Sequence, residues 1–123
     1  MKKLLILLFI LISFDTFAVE KETTFTSEVF NEAQKAGKTV IINSWNNTCG
    51  TCSAQITVLQ EAKKEFKDVL FLSFEQTKDK DISKFLNIDF WTTIVVYKHN
   101  AEVARIIGQT EKSLIYSTIK KGI

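Results

Sequence analysis

An α/β fold with a mixed central sheet, helices on both faces and a closing antiparallel hairpin plus helix is what this sequence predicts. Three observations carry the prediction. Apolar, β-branched runs alternate with segments of helical spacing, which is the pattern of strands and crossover helices. The last two strand-like runs are separated by only a short turn, so they must pair antiparallel. The length of 123 residues is that of one domain.

The elements follow in order. Glu20 to Thr26 is a polar lead-in. Ser27 can cap a helix carrying Val29, Phe30, Ala33 and Gln34, which ends at Gly37. Thr39 to Trp45 is a β-branched, apolar run and reads as a buried strand. Asn46 to Gly50 is a turn. From Thr51 to Lys67, Ile56, Leu59, Ala62, Lys63 and Phe66 keep helical spacing. Val69 to Phe74 is a second buried strand, and Asp79 or Asp81 starts a short helix carrying Ile82, Phe85 and Leu86. Thr93 to Tyr97 and Glu102 to Ile107 are strands flanking the turn Lys98-His99-Asn100-Ala101. Glu111 to Lys120 places Leu114, Ile115 and Ile119 on one helical face. The predicted order is α-β-α-β-α-β-β-α.

The first eighteen residues stand apart from this pattern. Lys2 and Lys3 precede an unbroken apolar run, Leu4 to Ile12, and Thr16-Phe17-Ala18 offers small residues at a cleavage site. This is the pattern of a signal peptide, removed after Ala18 to leave residues 19–123 as the domain. The alternative is a retained membrane anchor. The apolar run is short for a span of about twenty residues, and Asp15 interrupts it. An uncleaved leader would be the chain's only membrane contact.

Composition narrows the function. With 16 basic and 14 acidic residues the net charge is +2. No basic cluster is present, so a nucleic-acid partner is not expected. The only cysteines are Cys49 and Cys52. A domain stapled by disulfides normally carries four or more, further apart. A bridge across so short a loop restricts the unfolded chain little. In an exported protein, two such cysteines are better placed for redox chemistry than for stability.

Their setting supports this. The stretch Trp45-Asn46-Asn47-Thr48-Cys49-Gly50-Thr51-Cys52 falls where a buried strand hands over to a helix. A cysteine at a helix N-terminus faces unsatisfied N–H groups and the positive end of the dipole, which favour its thiolate. Cys52, one turn deeper, is within reach of Cys49 and shielded. Attack by Cys49 on a substrate disulfide gives a mixed disulfide; attack by Cys52 on Cys49 then releases the reduced substrate. Gly50 leaves the approach to Cys49 open. A four-ligand zinc site needs two more ligands, and the lone His99 in a turn reads as a solvated residue.

These residues resemble the thioredoxin family over almost all of residues 19–123. The strand VIINSW, the CGTC motif, the strand FLSFE, the segment IDFWTTIVVYKHNAEV and Gly108 stand in the family's order. The motif, with Gln55 three residues beyond it, is also similar to that of exported bacterial thioredoxin-like proteins. The resemblance implies a thioredoxin-like fold. It also implies catalysis by Cys49 and Cys52, and substrate contact by Trp45, Gly50, Thr51, Trp91 and Thr92. It implies protein thiol or disulfide substrates, a redox partner protein, no cofactor and no metal, and a monomer in the periplasm. The absence of an inserted helical domain favours a reductase or thiol carrier over a disulfide-forming oxidase.

The chain also departs from the family. Thr51 replaces a proline, Asn43 a buried acid, and Ser73 the lysine that accompanies that acid. Thr92 replaces the family's cis-proline. A cis bond before a non-proline residue costs about 3–4 kcal/mol, so a trans Trp91–Thr92 bond is expected. A Thr92 side chain close to the cysteine pair has a hydroxyl able to donate to the Cys49 thiolate of the reduced form. Asn43 and Ser73 read as satisfied strand residues. Trp45 can serve the core and the site at once, whereas Phe90 and Trp91 suit either the core or a groove rim.

Two other functions compete. Two chains could pool their thiolates in a dimer to hold a soft metal or an iron–sulfur cluster. A redox-inert binding domain is the third, and the intact cysteines argue against it.

Overall fold

The computed structural model describes residues 22–123. The signal peptide expected over residues 1–18 lies outside the described residues. The elements are α1 (Ser27–Lys35), β1 (Val40–Trp45), α2 (Gly50–Glu65), β2 (Leu70–Glu75), α3 (Lys80–Phe85), β3 (Thr93–Lys98), β4 (Ala101–Ile107) and α4 (Lys112–Lys120). Their order is the predicted one.

The sheet runs β2-β1-β3-β4. β1 pairs parallel with β2 through the α2 crossover and antiparallel with β3, and β3 pairs antiparallel with β4. β1 is thus central and flanked by helices on both sides, so every residue from Val40 to Trp45 is buried. That is why Val40, Ile41 and Ile42 follow one another without the polar alternation of a half-buried strand, and why Asn43 and Ser44 need partners inside the fold. One face packs Phe25, Phe30, Ile42, Phe74 and Ile88 under α1 and α3. The other packs Ile41, Leu59, Ile94, Ile115 and Ile119 under α2 and α4. Each fully buried side chain of this size contributes about 1.5–3 kcal/mol relative to exposure.

The boundaries differ by one or two residues from those expected. Thr26, not Ser27, caps α1: its Oγ1 accepts the Val29 N–H at 3.1 Å. α2 opens at Gly50 and ends at Glu65, short of Lys67, because Phe66 leaves helical geometry. The lead-in is more than a tether. The Thr24 and Phe25 N–H groups both donate to the Ser73 carbonyl, at 2.9 and 3.1 Å, which covers the β2 edge. His99 and Asn100 adopt positive φ of 51° and 61°, giving a hairpin turn whose twist matches the strands. His99 is exposed there, as expected. Among the described residues no helix is long and apolar enough to cross a membrane.

Candidate active site

The site lies at the C-terminal end of β1. Asn46 carries the chain out of the strand, and Cys49 is the N-cap of α2. Cys49 and Cys52 form a disulfide with their Cα atoms 5.2 Å apart. The Cys52 N–H donates to Cys49 Sγ at 3.0 Å, so the helix terminus aims a free donor at the outer sulfur. Cys49 is half-buried and Cys52 fully buried. The asymmetry fits an outer attacking sulfur and an inner resolving one. Gly50 and Thr51 are exposed at the first turn, and a Cβ built on Gly50 would meet nothing within 4 Å.

Trp45 is 5 % exposed and packs with Cys52 and Ile56, while its Nε1 donates to the Glu22 carbonyl at 3.3 Å. It therefore serves the core beneath the disulfide. Phe90 and Trp91 are 62 % and 47 % exposed and so belong to the surface, not to the core.

The Trp91–Thr92 bond is cis, against the trans form expected from intrinsic cost. Tertiary bonds hold both sides of it. The Thr92 carbonyl accepts the Gly108 N–H at 2.8 Å, and the Thr93 N–H donates to Ser44 Oγ at 3.0 Å. The Ser44 hydroxyl in turn donates to the Phe90 carbonyl at 3.1 Å.

The Thr92 hydroxyl is held inside the fold. In the disulfide form it bonds Gln55 Oε1 and the Ser44 carbonyl rather than Cys49. Asn43 Nδ2 donates to the same Gln55 oxygen at 2.5 Å and to Thr92 Oγ1 at 3.2 Å. The other end of Gln55, its Nε2, donates to the Gln109 carbonyl at 2.8 Å. Gln55 is fully buried and so ties β1, the Thr92 loop and the turn after β4 to the helix that carries both cysteines. In the sequence Gln55 stands out only by its position near the motif. Its signal is a glutamine one turn beyond Cys52 on a face otherwise filled by Ile56 and Leu59.

Asn43 and Ser73 are register partners on adjacent strands. Ser73 Oγ donates to the Glu22 carbonyl at 2.7 Å, as a satisfied strand residue should. Asn43 is only half satisfied, because its Oδ1 is buried with no hydrogen-bond partner. Asn43 and Ser73 share the wall of a cavity of about 360 Å³ with Trp45, Ile56 and Lys63.

A thioredoxin-like fold with a cysteine pair bonded across the strand-to-helix junction defines a thiol–disulfide oxidoreductase. The chain belongs to the thioredoxin family: the family model described as thioredoxin matches residues 17–121. It is similar to thioredoxin of Mycoplasma genitalium, 34% identical over 84 residues, covering 68% of this chain and 82% of that one. It is similar to thioredoxin H-type of Fagopyrum esculentum, 27% identical over 90 residues, covering 73% of this chain and 78% of that one. Among solved structures, Trxlp from Edwardsiella tarda superposes with a TM-score of 0.73 at 21% identity, covering 77% of this chain and 94% of the other. Fasciola hepatica thioredoxin gives 0.70 at 20% identity, covering 78% and 89%.

Proposed function

We propose that this protein is an exported reductase or thiol carrier in which Cys49 attacks protein disulfides and Cys52 resolves the mixed disulfide. The observation that carries the proposal is the contrast between the two sulfurs. Cys49 is reachable and receives the Cys52 N–H, whereas Cys52 is sealed under Trp45 and Ile56. As the helix terminus stabilises a thiolate at Cys49, that sulfur is the nucleophile at neutral pH.

The reaction balances within the pair and its substrate. Cys49 thiolate displaces one substrate sulfur, which leaves as a thiolate and takes a proton. Cys52 then loses its proton and attacks Cys49 Sγ, and the second substrate sulfur leaves. The protein finishes oxidised and the substrate reduced, and a redox partner protein must return two electrons to the pair. Asn43 and Ser73, on the strands behind Cys52, are not titratable side chains. The Cys52 proton therefore leaves by a route other than the family's acid.

Phe90 and Trp91, exposed in the loop before Thr92, and Gly50 and Thr51, exposed at the first turn of α2, are surfaces suited to an extended substrate chain. The substrate is thus a polypeptide carrying a disulfide. A monomer suffices for this chemistry. The metal-binding alternative is not favoured: the two sulfurs bond each other, and the relatives are thioredoxins.

The basic and apolar leader supports export to the periplasm, with a mature chain beginning at Val19. Mass spectrometry of the exported protein tests that start, and an intact Met1 terminus contradicts it. Reduction of insulin by dithiothreitol tests the activity. Wild-type protein is expected to accelerate it well beyond dithiothreitol alone, and no acceleration would overturn the proposal.

A further inference from the structure

Among the described residues, the disulfide chemistry leaves one buried charged group without a role. Glu75, the last residue of β2, is 2 % exposed and lies in register with Trp45. Burying a carboxylate is costly unless its oxygens are bonded. Here Oε1 accepts from Asn46 Nδ2 at 3.3 Å and from Thr77 Oγ1 at 2.6 Å, and Oε2 accepts the Lys78 N–H at 2.6 Å.

Asn46 passes this anchorage to the motif. Its Oδ1 accepts from the Thr48 N–H at 3.0 Å and from the Thr48 hydroxyl at 2.8 Å. Its backbone carbonyl accepts the Cys49 N–H at 3.3 Å. An asparagine amide has distinct donor and acceptor ends. An acceptor-only carboxylate on the Nδ2 side obliges Oδ1 to face Thr48. The orientation of Asn46, and with it the turn that delivers Cys49 to the start of α2, is set from the end of the neighbouring strand.

We propose that Glu75 is a positioning residue for Cys49, acting through Asn46 to hold residues 46–49 so that the attacking sulfur sits at the helix N-terminus. The proposal rests on Cys49 being the attacking thiol. Glu75→Gln tests it with little change of shape. A glutamine has one acceptor oxygen where the carboxylate has two, so it cannot serve both the Asn46 side and the Lys78 N–H. Asn46 Nδ2 is then left with Thr77 Oγ1 alone, 3.3 Å away, or the Lys78 N–H loses its acceptor, or the Asn46 amide reverses and abandons the Thr48 N–H.

The sign of the effect is informative. Removing a nearby negative charge would by itself favour the Cys49 thiolate and quicken its reactions. Loosening the turn takes Cys49 away from the helix terminus and slows them. The experiment is alkylation of Cys49 by iodoacetamide at pH 7 in the fully reduced protein, with native circular dichroism required of every variant. Glu75→Gln and Asn46→Ala are each expected to slow it about three- to tenfold, as a helix-terminal thiolate becomes a more ordinary thiol. The double variant should be no slower than Asn46→Ala alone, because the two act in series. An unchanged or faster rate in Glu75→Gln, or slowing that multiplies in the double variant, overturns the proposal. If Glu75→Gln does not fold, Glu75→Asp takes its place in the cycle; its shorter reach to Asn46 is expected to slow alkylation too. Insulin reduction by the wild-type protein judges the oxidoreductase reading separately, so the two failures are distinguishable.

Discussion

The Thr92 hydroxyl bonds Gln55 Oε1 across 37 residues of sequence, and through it the Thr92 loop is fastened to the helix of the two cysteines. Thr92→Val keeps the shape of the side chain and removes this bond. Asn43 Nδ2 then also loses an acceptor, and the Ser44 carbonyl loses a donor. Asn43 Nδ2 and Gln55 Oε1 still bond each other, so hydrogen bonds are lost without orphaning either group; each bond is worth about 0.5–1.5 kcal/mol, and chemical denaturation should show a loss in that range. Because the hydroxyl is engaged by Gln55 Oε1 and the Ser44 carbonyl, the potential of the pair should stay close to the wild-type value. An undiminished stability would contradict the network.

Much of the fold was legible because its signals are local. Val40 to Trp45 announces a buried central strand, and the short polar turn at Lys98 to Ala101 announces the hairpin. Cys49 and Cys52 were legible as a site for the same reason: motif, strand and helix start are contiguous. The partners of that site were not. Thr92 meets Gln55, and Asn46 meets Glu75, only once β1 lies against β2 and β3. Nothing in the composition around Glu75 marks it as buried, since a charged residue at a strand end is usually solvated. The cis bond before Thr92 is not legible locally, since the bonds from Gly108 and to Ser44 form only in the folded chain.

Trp91 is the exposed aromatic next to the Thr92 loop and is expected to contact the substrate rather than the fold. Trp91→Ala should therefore raise KM for a polypeptide disulfide with stability nearly unchanged. Loss of an aromatic anchor worth about 1–2 kcal/mol corresponds to roughly five- to thirtyfold. Steady-state kinetics with insulin would check it. A variant whose KM is unchanged would place recognition elsewhere, and a fall in kcat alone would point to the chemistry instead.

Tyr97 carries the clearest pH dependence. It packs edge-on against Phe30 with ring centroids 5.1 Å apart. Burial, and then the charge of Glu102, raises its phenol above the ordinary value of 10.0. The folded state thus holds the phenolic proton more tightly than the unfolded chain does. Its contribution to stability is complete below 10.0 and is lost as the pH climbs through the folded value. Denaturation midpoints measured from neutral to strongly alkaline pH should fall in that window, and less steeply in Tyr97→Phe. Equal slopes in the two proteins would contradict the assignment.

The division of labour between the sulfurs has the most direct test. Cys52→Ser leaves Cys49 able to attack and nothing to resolve the product, so incubation with a disulfide-bearing polypeptide should accumulate a covalent complex linked through Cys49. Cys49→Ser should accumulate none, because Cys52 is fully buried. Non-reducing electrophoresis followed by peptide mapping reads the linkage. A complex joined through Cys49 in Cys52→Ser alone is the predicted result; a complex joined through Cys52 in Cys49→Ser would contradict the account.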